Sequence, residues 1–147
     1  MSKNKKFRTL SLATLPKVSA ALETEVVEVP EFGEESTVNV RPLTVHYHAL
    51  LGMYLNAMGY DPESFRGKDA HGLPSSATAA YSSINAALSS YDDDGNLVFG
   101  ETPEEAVRLV LSLPAQYAPA ISRISAVGTR LSNTQNPRRA VEDAEKN

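Results

Sequence analysis

The acidic stretch around residue 94 holds the residues best suited by type and spacing to bind a metal ion. The ligand, glycine, hydrophobic and terminal-glutamate positions of an EF-hand calcium loop are matched by Ser90, Asp92, Asp94, Gly95, Asn96, Leu97 and Glu101. Ser90, however, stands where aspartate is expected, and neither an exiting helix nor a second loop follows. A hairpin turn with positive φ near Gly95 explains the same residues more simply. We therefore predict a turn here and keep a single-loop calcium site as the least favoured alternative.

The histidines offer a second arrangement that could bind a metal. His46 and His48 would share a face only on a strand, whereas a helix, which is predicted here, turns their side chains apart. His71 falls in a predicted loop. A three-histidine zinc site is therefore not expected, and no metal ligands are assigned.

The spacings typical of common catalytic and nucleotide-binding sites do not occur in this sequence. It contains no G-x-S-x-G, no G-x-G-x-x-G, no G-x-x-x-x-G-K-[ST] and no cysteine. The pairs Glu34-Glu35 and Glu104-Glu105 suit a turn and a helix N-terminus, where negative charge is favourable. We predict that the protein is not an enzyme, that it has no catalytic residues and that it needs no cofactor.

Length and charge narrow the classes of partner. A chain of 147 residues fits one domain, and a net charge of -4 opposes nonspecific attraction to nucleic acid. No apolar run reaches the roughly 18 residues of a membrane-spanning helix, and no secretion signal is recognised after the basic first residues. We expect a soluble protein with neither nucleic acid nor membrane as a partner.

The first structured element predicted from the sequence is a β-hairpin. Residues 25–30 and 37–41 are rich in β-branched side chains, and the polar stretch 31–36 separates them. Val38 and Val40 alternate with polar neighbours, so one face of the hairpin should be buried.

A helix capped by Thr44 and ended by Gly59 is predicted to follow the hairpin and to cover it. Its apolar residues recur at three- and four-residue steps, and they are Tyr47, Leu50, Leu51, Tyr54, Leu55 and Met58. We expect it to be the most amphipathic helix of the chain. Strands and a helix that bury each other give an α+β fold.

The second half of the chain is predicted to add a short hairpin and more helices. A polar connection over 60–74 leads into an Ala/Ser-rich stretch over 75–90, which could be a helix or could end in a strand. Residues 92–99 predict a second hairpin or strand.

Two more helices are expected after this hairpin. Residues 102–105 combine an N-cap, a proline and a capping-box glutamate, which launches a helix over 106–113. The last helix should begin near Pro119 and place Ile121, Ile124 and Leu131 on one face. The predicted fold is thus an N-terminal β-hairpin packed against a small set of α-helices in one α+β domain over 24–132. A flexible, basic, partly ordered arm over 1–23 precedes it, and a disordered polar tail over 133–147 follows it.

The order of these features resembles the tail assembly chaperones of long-tailed phages. The likeness covers residues 24–147, and it rests on residues 26–29 with 38–41, 43–44, 93–99, 102–105 with 109–115, and 141–147. The basic arm and the Ala/Ser-rich insertion over 61–89 depart from the pattern of the family.

The resemblance implies a protein that binds the tape-measure protein and helps recruit tail-tube subunits during tail morphogenesis. It would act in the host cell cytoplasm and be absent from the mature virion. Many relatives also have a longer form made by ribosomal frameshifting, for which the tail from Asn133 would be a natural junction. The main alternative is a structural virion component, such as a head-tail connector or a minor tail protein.

A holding chaperone needs accessible apolar surface, and the predicted third and fourth helices offer the best candidates. This stretch is more apolar than one helical face requires, and its predicted partner-binding residues are Val107, Leu109, Val110, Leu111, Leu113, Tyr117 and Ile121. The alternative is that these residues complete a small core. The outer strand of the hairpin could also accept a partner strand. Exposed apolar helices would, in addition, favour self-association.

Overall fold

The computed structural model describes residues 9, 11–13, 23–61 and 75–132. A three-stranded antiparallel sheet and four α-helices give an α+β fold in this part of the chain, as predicted. Most of the predicted basic arm, His71 and the whole predicted tail lie outside the described residues.

The predicted N-terminal hairpin is confirmed. Strands β1 (Glu25–Glu28) and β2 (Thr37–Val40) pair antiparallel, with Val27 opposite Val38, and a 3-10 turn over Pro30–Phe32 lies between them. Val27, Val38 and Val40 are buried on one face, whereas Val26 on the other face is exposed. The alternation of valine with polar residues therefore marks the buried face correctly.

The predicted second hairpin is present but short. Strand β3 (Ser90–Tyr91) pairs antiparallel with β2, and Tyr91 bridges to Leu97 across the turn. Gly95 has a φ of 84°, the left-handed conformation that glycine adopts without steric cost. The positive φ expected at this glycine is confirmed.

Helix α1 (Val45–Ala57) has the predicted ends but not the predicted neighbour. The hydroxyl of Thr44 accepts a hydrogen bond from the Tyr47 amide, and Gly59 follows the helix with a φ of 90°. The expectation that α1 covers the hairpin is wrong, because the main contact of α1 is with the next helix of the chain. The expectation that it is the most amphipathic helix also fails, since only Leu51 and Leu55 are buried.

The ambiguous Ala/Ser-rich stretch forms helix α2 (Ser75–Ser89), which continues directly into β3. Contacts with all three other helices make it the centre of the fold. Its buried residues are mostly small, and they are Ala77, Ala80, Ile84, Asn85, Ala86, Ala87, Leu88 and Ser89. Small side chains allow the neighbouring helices to approach closely, which is why a central helix can lack a strong apolar stripe.

Helix α3 (Pro103–Ser112) begins at the predicted cap. The Thr102 hydroxyl accepts a hydrogen bond from the Glu105 amide at 3.1 Å, and the Glu105 carboxylate accepts one from the Glu101 amide at 3.2 Å. Ala106, Val107 and Val110 form its buried face. The predicted N-cap is therefore confirmed.

Helix α4 (Ala118–Ser132) follows a 3-10 turn over Ala115–Tyr117 and starts one residue before the predicted Pro119. Ile121 and Ile124 are buried and Leu131 is partly buried, as predicted. This helix packs on α2 and also lies against β1 and β2. It therefore takes the place beside the sheet that the sequence pattern assigned to α1.

A buried polar contact fixes α4 on α2. The Asn85 side-chain amide donates hydrogen bonds to the Ser125 carbonyl oxygen at 3.1 Å and to the Thr129 hydroxyl at 2.9 Å, and its carbonyl oxygen accepts one from Ser89. The described residues contain no buried side-chain nitrogen or oxygen atom without a hydrogen-bond partner. Satisfied buried polar groups of this kind favour one relative position of two helices.

A candidate binding cleft between three helices

An open cleft lies between α2, the end of α3 and the start of α4. Its volume is about 440 Å³, and its lining comprises Thr78, Ala79, Ser82, Ser83, Val110, Leu111, Leu113, Pro114, Ala115, Tyr117, Ala118, Ile121 and Ser122. The connection from α3 to α4 contributes Leu113, Pro114, Ala115 and Tyr117 to this lining. The end of α3 and the start of α4 thereby lie in one lining with residues of α2.

Most of the residues predicted to bind a partner line this cleft. Val110, Leu111, Leu113, Tyr117 and Ile121 belong to the lining. Val107 is buried in the core and lies outside the lining. Leu109 is 44% exposed but likewise lies outside the lining. Five of the seven predicted residues therefore line one cleft, and two lie outside its lining.

The lining divides into a floor and a rim. Val110 and Ile121 are buried and form the floor, where they already contribute to the core. Leu111 is 44% exposed at the rim, and Leu113 and Tyr117 are partly buried. The rim residues have apolar area left to bury against a partner, whereas the floor residues have little, so the rim can contribute more binding free energy.

The wall formed by α2 was not identified from the sequence. Thr78, Ala79, Ser82 and Ser83 line the cleft at helical three- and four-residue steps, and Ser122 of α4 adds another hydroxyl. An Ala/Ser-rich stretch carries little hydrophobic periodicity, so only its eventual helical register could have placed these residues on one face.

One end of the cleft is braced by the corner of the hairpin. The Tyr117 ring stacks on Phe32, with centroids 4.6 Å apart and planes 23° apart. Phe32 in turn lies 5.8 Å from the ring of Phe99. Phe32 was not predicted as a site residue, and its contacts show that the hairpin holds Tyr117 in position.

An ion pair fastens the same corner to α4. The Arg123 guanidinium donates to both carboxylate oxygens of Glu31, at 3.1 and 2.9 Å, and also donates to the Glu28 carbonyl oxygen at 2.9 Å. The hydrogen bond from Arg123, followed by a backbone hydrogen bond, lowers the pKa of Glu31 from its ordinary value. Arg123 adjoins Ser122, so the pair anchors the hairpin next to the cleft lining.

Among the residues that the structure describes, the lining of the cleft includes no charged side chain. Its lining consists of aliphatic residues, one tyrosine and hydroxyl groups. Such a surface offers neither a nucleophile with a positioned base nor a charged group for a phosphate. It is suited to an uncharged apolar segment whose backbone or polar atoms can bond to hydroxyl groups at the wall.

The residues considered for calcium are engaged in the turn. The Asp92 carboxylate accepts hydrogen bonds from the amides of Asp94 and Asn96, each at 2.9 Å. Ser90 is fully buried and its hydroxyl donates to the Ala86 carbonyl oxygen at 2.7 Å. These contacts are those of a side-chain-stabilised turn that ends a helix and opens a hairpin.

Metal and membrane sites were searched for in the described ranges 23–61 and 75–132 and in the few described residues before them. They hold no group of three or more His, Asp or Glu side chains that could bind a metal ion together. No helix among them is long and apolar enough to cross a bilayer. His46 and His48 are both exposed on α1, on the helix that the sequence predicted.

Comparison of the chain with protein-family models, with curated proteins and with solved structures finds no match in any of the three. The cleft and the order of sequence features are therefore the two observations from which a function can be proposed.

Proposed function

We propose that the protein is a non-catalytic phage tail assembly chaperone that binds the tape-measure protein and helps recruit tail-tube subunits. It acts in the host cell cytoplasm and is absent from the mature virion. The observation that carries this proposal is that Leu111, Leu113 and Tyr117, chosen from the sequence as partner-binding residues, border one open cleft lined by aliphatic and hydroxyl side chains. The sequence resemblance supplies the identity of the partners.

The size of the cleft defines what it can hold. A volume of about 440 Å³ lies at the lower end of the range of ligand pockets, roughly 300–1,000 Å³. It accommodates a few apolar side chains and not a folded domain. The client of this cleft is therefore a short apolar segment of the tape-measure protein, exposed before the tail is built around it.

The distribution of burial suits reversible holding. The floor residues Val110 and Ile121 gain little from a partner because they are already buried. Binding therefore depends on the rim, where each Å² of apolar surface removed from water contributes about 25 cal/mol. A small rim gives modest affinity, which allows the client to be released when tail-tube subunits arrive.

Co-expression of the full chain with the tape-measure protein of the same genome tests the proposal. We expect the pair to stay soluble and to co-elute in size-exclusion chromatography, whereas the tape-measure protein alone precipitates. Purified particles should lack the chain when probed by mass spectrometry.

Two results would contradict this function. One is a tape-measure protein that neither associates with the chain nor becomes more soluble in its presence. The other is stoichiometric retention of the chain in purified particles, which would instead support the structural virion component.

A further inference from the structure

The rim residue Tyr117 is held from outside the cleft by two successive ring contacts. Its ring stacks on Phe32, with centroids 4.6 Å apart, and Phe32 lies 5.8 Å from the ring of Phe99. Phe99 is buried in the core, whereas Phe32 is 36% exposed and is not part of the cleft lining. The core and the rim are therefore connected through an aromatic residue that lies outside the site.

The turn that carries Phe32 has little backbone freedom. The Phe32 amide donates a hydrogen bond to the Val29 carbonyl oxygen at 3.0 Å. The Gly33 amide likewise donates to the Pro30 carbonyl oxygen at 3.0 Å. Val29 is buried, and the proline ring restricts the backbone at the start of the turn. Phe32 is thus presented to Tyr117 from a fixed position.

The preceding residue of the same turn holds α4 on the other side of the cleft lining. Glu31 binds the Arg123 guanidinium through both carboxylate oxygens. Tyr117 precedes and Arg123 follows the residues of α4 that line the cleft, which are Ala118, Ile121 and Ser122. Two neighbouring side chains of the hairpin therefore hold this stretch at both ends.

We propose that Phe32 is a positioning residue for client binding, because it holds the Tyr117 ring in the orientation in which the rim receives the client. This inference rests on the proposed function and adds to it a residue outside the lining on which the affinity depends. A side chain that must be ordered on binding reduces the affinity. A stacked aromatic pair favours one ring orientation before the client arrives. Removal of the Phe32 ring should therefore weaken client binding.

Phe32→Leu and Phe32→Tyr separate the effect of the ring from that of apolar bulk. Leucine keeps an apolar side chain in the turn but cannot stack, whereas tyrosine keeps the ring. The tape-measure protein is diluted from urea into rising concentrations of the chain, and light scattering measures its aggregation. The concentration that halves the scattering should be about two- to tenfold higher for Phe32→Leu, which corresponds to the ordering of one side chain on binding. Phe32→Tyr should protect like the unmodified chain.

Leu51→Ala is the matched control for a loss of stability. Leu51 is buried on α1, and no residue of α1 belongs to the lining. The cavity left by this change should lower the melting temperature at least as much as Phe32→Leu does. Its half-protective concentration should nevertheless equal that of the unmodified chain. Equal loss of protection in Leu51→Ala and Phe32→Leu would assign the effect to stability and overturn the proposal.

The ring signals of Tyr117 test the position of this ring without any client. In a chain with isotope-labelled tyrosine rings, they are the nuclear magnetic resonance signals that Tyr117→Phe removes. We expect the stacked ring to displace these signals from ordinary tyrosine positions in the unmodified chain and in Phe32→Tyr. Phe32→Leu should return them toward those positions. Signals that do not move in Phe32→Leu would overturn the proposal.

The two measurements distinguish a failure of this inference from a failure of the proposed function. If the unmodified chain does not protect the tape-measure protein, the proposed function is contradicted and this inference with it. If the unmodified chain and Phe32→Leu protect equally well, Phe32 has no positioning role and the proposed function stands.

Discussion

Single residues of small size determine how closely the helices of this protein pack. Gly128 of α4 faces α2, and a β-carbon added there would lie 2.9 Å from the Ser89 hydroxyl oxygen and 3.2 Å from the Ser89 β-carbon. Ser89 cannot move away freely, because it is fully buried and its hydroxyl donates to Asn85. The polar contact between Asn85 and α4 thus depends on the missing side chain at residue 128.

Replacement of this glycine tests the close approach of α2 and α4. We expect Gly128→Val to lower the free energy of unfolding by about 1–3 kcal/mol, the usual cost of overpacking a core. Ala126→Val is the matched control, because residue 126 is exposed on the same helix and the change costs at most about 0.7 kcal/mol of helix propensity. Urea denaturation measures both values. Equal losses in the two variants would show that the helices do not approach at Gly128.

At the scale of elements, the hairpin corner is the part that connects the sheet to the cleft. Its 3-10 turn is held by the stacking of Phe32 on Tyr117 and by the ion pair of Glu31 with Arg123. The ion pair is partly accessible to solvent, since Arg123 is exposed and Glu31 is half-buried, so its contribution is screened by salt. The aromatic contact should therefore persist when the ion pair is weakened.

The ion pair predicts a specific dependence of stability on pH. Because the pKa of Glu31 is lowered in the folded protein from an ordinary value of 4.5, its carboxylate stabilises the fold above that value. The contribution is lost as the pH falls through the lowered pKa. The melting temperature of Glu31→Gln should thus lie below that of the unmodified chain at neutral pH and approach it in acid.

Glu34→Gln provides the control for this measurement. Glu34 is exposed in the same corner, and no ion pair to it is found within the described part of the chain. Its replacement should leave the melting temperature unchanged over the same pH range. A difference between Glu31→Gln and the unmodified chain that persists undiminished in acid would contradict the role assigned to the ion pair.

Elements that depend on a few adjacent residues could be predicted from the sequence. The way in which these elements pack together could be predicted only in part. The hairpin, the Thr102 cap and the positive φ at Gly95 each follow from a few adjacent residues. The position of α1 does not, because a helix that is apolar nearly all round has no face that identifies its neighbour. The central position of α2 could not be predicted either, because alanine and serine give little hydrophobic periodicity.

At the scale of the whole molecule, one hydrophobic core extends from the hairpin to α4, and the cleft opens at its edge. The floor residues of the cleft belong to the hydrophobic core, and its rim residues remain accessible to solvent. The apolar excess of residues 107–121 was readable from the sequence. The assignment of each residue to floor, rim or neither was not, because it depends on how α3, α4 and their connection are placed beside α2.

The difference between Leu109 and Leu111 provides the most direct test of the cleft as the client-binding site. Both leucines lie on α3 and both are 44% exposed, but only Leu111 lines the cleft. An aspartate at either position costs similar helix stability, so a comparison of the two variants isolates the effect of position.

The measurement is the affinity of each variant for the tape-measure protein by titration calorimetry, with thermal unfolding as the folding control. We expect Leu111→Asp to weaken binding about tenfold or more, or at least about 1.4 kcal/mol, and Leu109→Asp to bind like the unmodified chain. Equal affinity of the two variants, whether both are weakened or both are unchanged, would contradict the account.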